Sequence, residues 1–415
     1  MFVFSKTEVW KLTLWLIFFI NPLVDAITGY LVLSGTIAQG GLGSPSQLFR
    51  LFLSVLMLIQ IRQPTHLIYV LLFIFYLVAL ELFNFLFHGD VSGLSVGITY
   101  SYKTAFGLLM YYVIDKYIKE KLLPLQKIID WIILSGVIYS LIVLISNIGG
   151  FSFGSYGDTL GSRGIFASAN GLGIYVGICS LLVIYRYHNQ PNKKCILYYV
   201  LMSYVMLGLM TRAAVGLFFI GLFLWFLRFP LKYKLPVLIV AGIMVWILWS
   251  PISKVIIAST EMISYRYFTS DASLHSLFIG GRQYLFDRAS AQFVTDGALW
   301  YRIVIGGGYF LSFRNPFNLD YSISSILEAD LWDVFYMFGI VGLLAYAGLF
   351  FYGLSFSGGK NGGANYILKI AWIMLFLHSA LAGHVLQNGM SVMILVCVLI
   401  ILKYRSRNES TFPVS

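Results

Sequence analysis

Apolar runs of about 17 to 25 residues, each long enough for a helix to cross a bilayer, recur along this chain. They divide it into roughly twelve predicted spans, near 10–33, 47–61, 66–87, 97–115, 128–149, 168–187, 195–211, 213–229, 235–253, 332–354, 365–383 and 385–402. On one side the connections are short and marked by lysine, such as Tyr117 to Gln126 and Asn189 to Lys194. On the other side two stand out: a Gly/Ser-rich loop from Asn147 to Ala167, and a large polar segment at 251–328 between spans nine and ten. A loop of that length is usually functional or disordered. Its richness in Tyr, Phe and Trp predicts order, with short helices lying on the membrane surface. The pattern predicts an all-α polytopic membrane protein in which residues 1–415 form a single membrane domain.

Composition strengthens this. A chain of 415 residues that is 59% hydrophobic and 11% charged, with mean hydropathy +0.84, has too much apolar surface for one soluble core. Twelve spans put both termini on one side, and lysines such as Lys6, Lys11, Lys116, Lys119, Lys193, Lys194 and Lys403 make that side cytoplasmic. The first run lacks a small-residue cleavage site and reads as a retained span. The net charge of +11 is then mostly topological and does not indicate nucleic acid. Cys179, Cys195 and Cys397 fall in or beside spans, so neither a disulfide framework nor a zinc site is expected.

Arginine breaks the topological rule. The outward side holds only Lys103 and Lys254 but eight arginines: Arg50, Arg163, Arg212, Arg266, Arg282, Arg288, Arg302 and Arg314. A guanidinium fork fits phosphate or carboxylate bidentately, so the excess suggests an anion site.

Particular settings sharpen the candidates. Gly161-Ser-Arg-Gly-Ile-Phe-Ala-Ser-Ala-Asn-Gly-Leu-Gly173 leads from an outward loop into the sixth span. Its glycines suit either backbone approach to a ligand, with Arg163 and Asn170 near a helix start, or close helix packing. Arg212, in Thr211-Arg-Ala-Ala214, either snorkels or faces a polar cavity. Gly280-Gly-Arg282 is followed by Arg288, Arg302 and Gly306-Gly-Gly-Tyr-Phe310, and a solvated loop face is the ordinary expectation for Arg288, Arg302 and Arg314. Glu328, Asp330 and Asp333 stand where the large loop re-enters the membrane, placed to cap a helix, to bind hydroxyls or to take a proton. Glu81 and Lys103 are intramembrane charges and so candidates by default. His384, at the turn between the last two spans, has the chemistry of a general base or of an interhelical hydrogen-bond partner. The chain shows no HExxH, P-loop, Ser-His-Asp order or paired-cysteine signature, so no metal or cofactor is expected.

These pieces occur in an order that resembles the O-antigen polymerase and ligase superfamily of bacterial glycosyltransferases. The carrying residues are Asn21-Pro-Leu-Val-Asp25, Arg163-Gly-Ile-Phe-Ala-Ser-Ala-Asn170, Thr211-Arg-Ala-Ala214, and Gly281-Arg282 upstream of Gly306-Gly-Gly308. Glu328 with Asp330 before Phe338-Gly-Ile-Val-Gly342, and Gly383-His384 before the last span, complete the series. Ligases of the superfamily commonly show histidine directly followed by asparagine, whereas here Val385 follows His384 and Asn388 comes later, which favours polymerase over ligase. The resemblance implies a C-type glycosyltransferase fold in the bacterial inner membrane with a periplasmic site. It further implies transfer of a growing glycan from undecaprenyl pyrophosphate onto an incoming lipid-linked repeat unit. A chain-length regulator and a flippase are candidate partners.

On that reading Arg163, Arg212 and Arg282 bind pyrophosphate, and His384 is the base. Glu328 or Asp330 orients the acceptor or replaces the histidine, and Lys103, Arg288, Arg302 and Asn170 are further substrate contacts. The competitors are an O-antigen ligase acting on lipid A core and, from another class, a flippase for the lipid-linked oligosaccharide. The lack of an internal repeat counts against transport.

Overall fold

The computed structural model describes residues 6–37, 43–88, 91–155, 161–228, 234, 285–287, 289–290, 293, 299–313, 327–356, 365–381 and 383–407. Its main helices are α1 (Lys6–Trp15), α2 (Asn21–Leu33), α3 (Pro45–Gln60), α4 (Pro64–His88), α5 (Val91–Lys119), α6 (Leu125–Ile148), α7 (Ala169–Asn189), α8 (Lys193–Leu209) and α9 (Arg212–Arg228). After them come α10 (Leu299–Ile305), α11 (Gly308–Phe313), α12 (Asp330–Ser355), α13 (Asn365–Leu381) and α14 (Gly389–Arg407). A single π-helical turn, Leu16–Ile20, joins α1 to α2, so the two form one continuous apolar rod. Every predicted span coincides with a helix except the run near 235–253, which lies outside the described residues. Among the described residues, six helical stretches, Val9–Leu33, Pro64–Leu86, Leu125–Ile148, Ala169–Asn189, Asp330–Ser355 and Gly389–Ser406, are long and apolar enough to cross a membrane. The described residues contain no strand.

Burial sorts the helices. In α7 and α14 the most apolar stretch is 83% buried, against 17% in α4, so the first two form the centre and α4 faces outward. A helix that is hydrophobic all round belongs in an interior. Around α7 pack α6, α8, α9, α13 and α14, while α5 bridges α3, α4 and α14.

The tail of the large loop is built into this bundle. Helices α10 and α11 pack on α4, α5 and α12 as part of the helix assembly. Two glycine motifs explain the fit. Gly306 has φ 84°, and a side chain there would meet the Met337 carbonyl. Gly339 has φ 59° and ψ −155° and breaks α12, and a side chain there would meet the Ile303 and Val304 carbonyls. Only glycine allows both the left-handed conformation and this approach of backbone to backbone. The Tyr336 carbonyl beside the break accepts from Ser312 Oγ at 2.7 Å, and Tyr76 Oη donates to the Ile305 carbonyl at the end of α10 at 2.8 Å, with the Phe338 carbonyl 3.4 Å away.

Candidate functional site

The start of α12 holds two acids one turn apart, and the spacing of three residues puts Asp330 and Asp333 on one face. Glu328 adopts a left-handed φ of 57°, uncommon for a residue with a side chain. That fold-back lets both flanking amides reach Asp333, with Leu327 N donating to Oδ1 at 3.0 Å and Ala329 N to Oδ2 at 3.2 Å. Asp330 is held from the opposite side. Its Oδ2 accepts from Ser379 Oγ (2.7 Å), Val385 N (2.6 Å) and Leu386 N (3.0 Å). Both carboxylates are fully buried.

The amides that bind Asp330 belong to the segment that carries His384, so one contact positions the other. His384 Nδ1 lies 3.8 Å from Asp330 Oδ1 and 3.5 Å from Asp333 Oδ2. The histidine side chain is 24% exposed while its acidic partners are not exposed at all. Since Nδ1 is the buried nitrogen, the Nε2 edge is the part of the ring open to a ligand. Burial opposes the imidazolium, but the carboxylates of Asp330, Asp333 and the exposed Glu328 outweigh it and hold the His384 pKa above its ordinary value. Chemically the arrangement is an oriented base strengthened by negative neighbours. One ligand atom from each of Asp330, Asp333 and His384 could also hold a cation, since the three lie within 4.8 Å of one another. A protonated imidazole puts positive charge against the same two oxygens.

The polar residues on the N-terminal side of α7 and α14 form a second cluster. Arg50 on α3 makes a buried ion pair with Asp25 on α2, and Asp25 also accepts from Asn21 Nδ2 (3.0 Å) and Tyr139 Oη (2.8 Å). The Arg50 guanidinium lies against Gly389, the first residue of α14, where a side chain would collide with it. Asn388 caps α14 through the Met390 amide at 3.0 Å and reaches Ser168 Oγ at 3.4 Å, while Ser168 caps α7 through the Gly171 amide at 3.0 Å. Two helix N-termini therefore meet beside Arg50.

The sequence candidates divide. His384, Asp330 and Glu328 come together, joined by Asp333. Arg163 is half-buried and donates Nη1 to the Ala167 carbonyl at 2.8 Å, holding its own loop. Arg212 is exposed at the start of α9, and the Arg163 loop touches the preceding helix end through Ser162 N to the Gly208 carbonyl at 2.7 Å. Asn170 is half-buried in the first turn of α7. Lys103 lies 4.2 Å from the Tyr100 ring centroid, within electrostatic reach of Arg50. Arg302 corrects an expectation. It is fully buried, its guanidinium lies over the Phe293 ring at 4.7 Å, and it packs beneath Gly307 rather than on a solvated loop face. Trp300, Ile303, Val304 and Ile305 of the short helix that carries it are exposed, and Arg302 lies on its buried side. Arg282, Arg288 and Arg314 lie outside the described residues.

Asp333 was read from sequence together with Glu328 and Asp330, whereas Ser379 and the pairing of Asp25 with Arg50 were not singled out. Nothing local signals Ser379, which arrives from another helix. Gly173 and Gly177 pack against Thr211 and Leu217, so helix packing accounts for these glycines of α7. No protein-family profile and no characterised protein sequence matches this chain.

Proposed function

We propose that the protein is a membrane glycosyltransferase that extends a surface polysaccharide, moving the growing glycan from undecaprenyl pyrophosphate onto an incoming lipid-linked repeat unit. The observation that carries this reading is the His384 ring, whose Nδ1 faces two buried carboxylates while its Nε2 edge stays open. An acceptor hydroxyl gives its proton to Nε2 as its oxygen bonds the anomeric carbon. The bond from that carbon to the pyrophosphate oxygen breaks, and the electron pair leaves with the pyrophosphate. Cationic groups stabilise the charge that develops there, usually the largest kind of catalytic contribution. Arg163, Arg212, Arg282 and Lys103 are the proposed sources, and Glu328 is proposed to orient the acceptor. The site would face the periplasm, with both termini cytoplasmic.

The test uses purified protein in proteoliposomes with a lipid-linked repeat unit. Glycan growth on the lipid is expected from wild type, with growth lowered at least about a hundredfold by His384→Ala, the usual scale of a general base. Supply of lipid A core as sole acceptor separates ligase activity. Movement of labelled lipid across the vesicle without glycan growth would replace the proposal with transport.

A further inference from the structure

An apolar cavity of about 590 Å³ lies between α4, α5, α12 and α14. Its wall on α12 takes residues from both sides of the break at Gly339, Val334 to Tyr352, and its walls on α5 and α14 run from Thr104 to Tyr111 and from Val392 to Leu399, about 10 Å each at 1.5 Å per residue. Its lining is almost wholly carbon, with hydroxyls only from Tyr and Thr side chains. One end lies beside the site described above, since the lining residues Leu386 and Val334 are chain neighbours of His384 and Asp333. At the other end the Tyr111 and Tyr352 hydroxyls lie 3.4 Å apart and Lys403 Nζ donates to Tyr111 at 2.8 Å.

The groove is wired to the acid-base residues. Tyr346, on its wall, donates its hydroxyl to Ser379 Oγ at 3.1 Å, and Ser379 donates to Asp330 Oδ2 at 2.7 Å. Consecutive donors in one direction polarise each other and fix the final acceptor. Leu386 is a second link, since its side chain lines the groove while its amide binds the same Asp330 oxygen. A chain in the groove packs on both links at once.

Resting on the glycosyltransfer reading, we propose that this groove holds the isoprenyl chain of a lipid-linked substrate and that Tyr346 and Ser379 are positioning residues, coupling its occupancy to the orientation of Asp330 and His384. Continuity with His384 argues for this occupant over a bulk phospholipid. The lipid whose head must reach His384 is the one that carries the reacting sugar.

Two measurements test it, the first independent of any transfer. Protein in nanodiscs is labelled with a photoactivatable long isoprenyl phosphate. Crosslinks are expected on groove residues of α5, α12 and α14, competed by unlabelled isoprenyl phosphate and not by phosphatidylglycerol. Ala345→Trp, which fills the groove from an exposed wall position, should cut labelling at least about tenfold, as expected for an anchor chain lost from an apolar site. Equal competition by phospholipid, or labelling elsewhere, would overturn the groove assignment.

The second measurement is kinetic. Tyr346→Phe keeps the ring and removes the donor, and is expected to lower kcat roughly tenfold at unchanged KM and to move the acidic limb of the pH profile. Ser379→Ala should do the same, and Ser379→Thr should restore it. Unchanged kcat and pH profile in Tyr346→Phe would overturn the coupling. Lipid capture without transfer by wild type would sink the glycosyltransfer reading and leave the groove standing; transfer without capture would do the reverse.

Discussion

An imidazole facing two buried carboxylates is a stronger base than a free one, because each negative neighbour stabilises its protonated form. His384 must be neutral to accept a proton, so activity should rise with pH through an acidic limb set above the ordinary imidazole value of about 6.5. Asp333→Asn removes one negative charge, lowers the His384 pKa and should move that limb to lower pH, as a profile of kcat/KM against pH would show. A limb that stays in place would contradict the coupling of Asp333 to His384. The buried pair of Arg50 and Asp25 makes a separate prediction about stability. Arg50→Ala leaves Asp25 uncompensated among buried groups and should cost about 3–5 kcal/mol. The double change Arg50→Gln with Asp25→Asn should cost less, as thermal unfolding in detergent would show. At this scale much was legible: Glu328, Asp330 and His384 stand out because ionisable residues are rare beside apolar runs. The pairing of Arg50 with Asp25 was not legible, because the two lie on different helices and pairing across helices leaves no local mark in a sequence.

Helix ends and glycine breaks decide what the residues can reach. The facing of Gly306 and Gly339 fastens α10 and α11 to α12 by backbone contact. Gly306→Val adds both a strained positive φ and a collision with the Met337 carbonyl, so α10 should detach. Faster hydrogen exchange across 299–313 would register this, and unchanged exchange would contradict the packing described. The apolar runs made the helices legible, since length and hydropathy alone define them. The break at Gly339 was not, because a glycine within an apolar run looks the same whether it permits helix packing or a kink. Likewise, Arg302 reads as a loop cation until the short helix that carries it is seen to bury that face.

Among the described residues around α14, ionisable groups gather near its two ends. His384, Asp330 and Asp333 gather before its start, while Lys403 near its end pairs with Asp115, which also holds Lys119. Between them runs the apolar groove. The central claim is that His384 accepts the acceptor's proton in sugar transfer from a lipid pyrophosphate. Single-turnover glycan extension on a lipid-linked repeat unit by wild type and by His384→Ala, each shown to be folded by its thermal transition, tests it most directly. The account predicts extension by wild type and its loss in the variant, with lipid capture retained. Normal extension by the variant would contradict it.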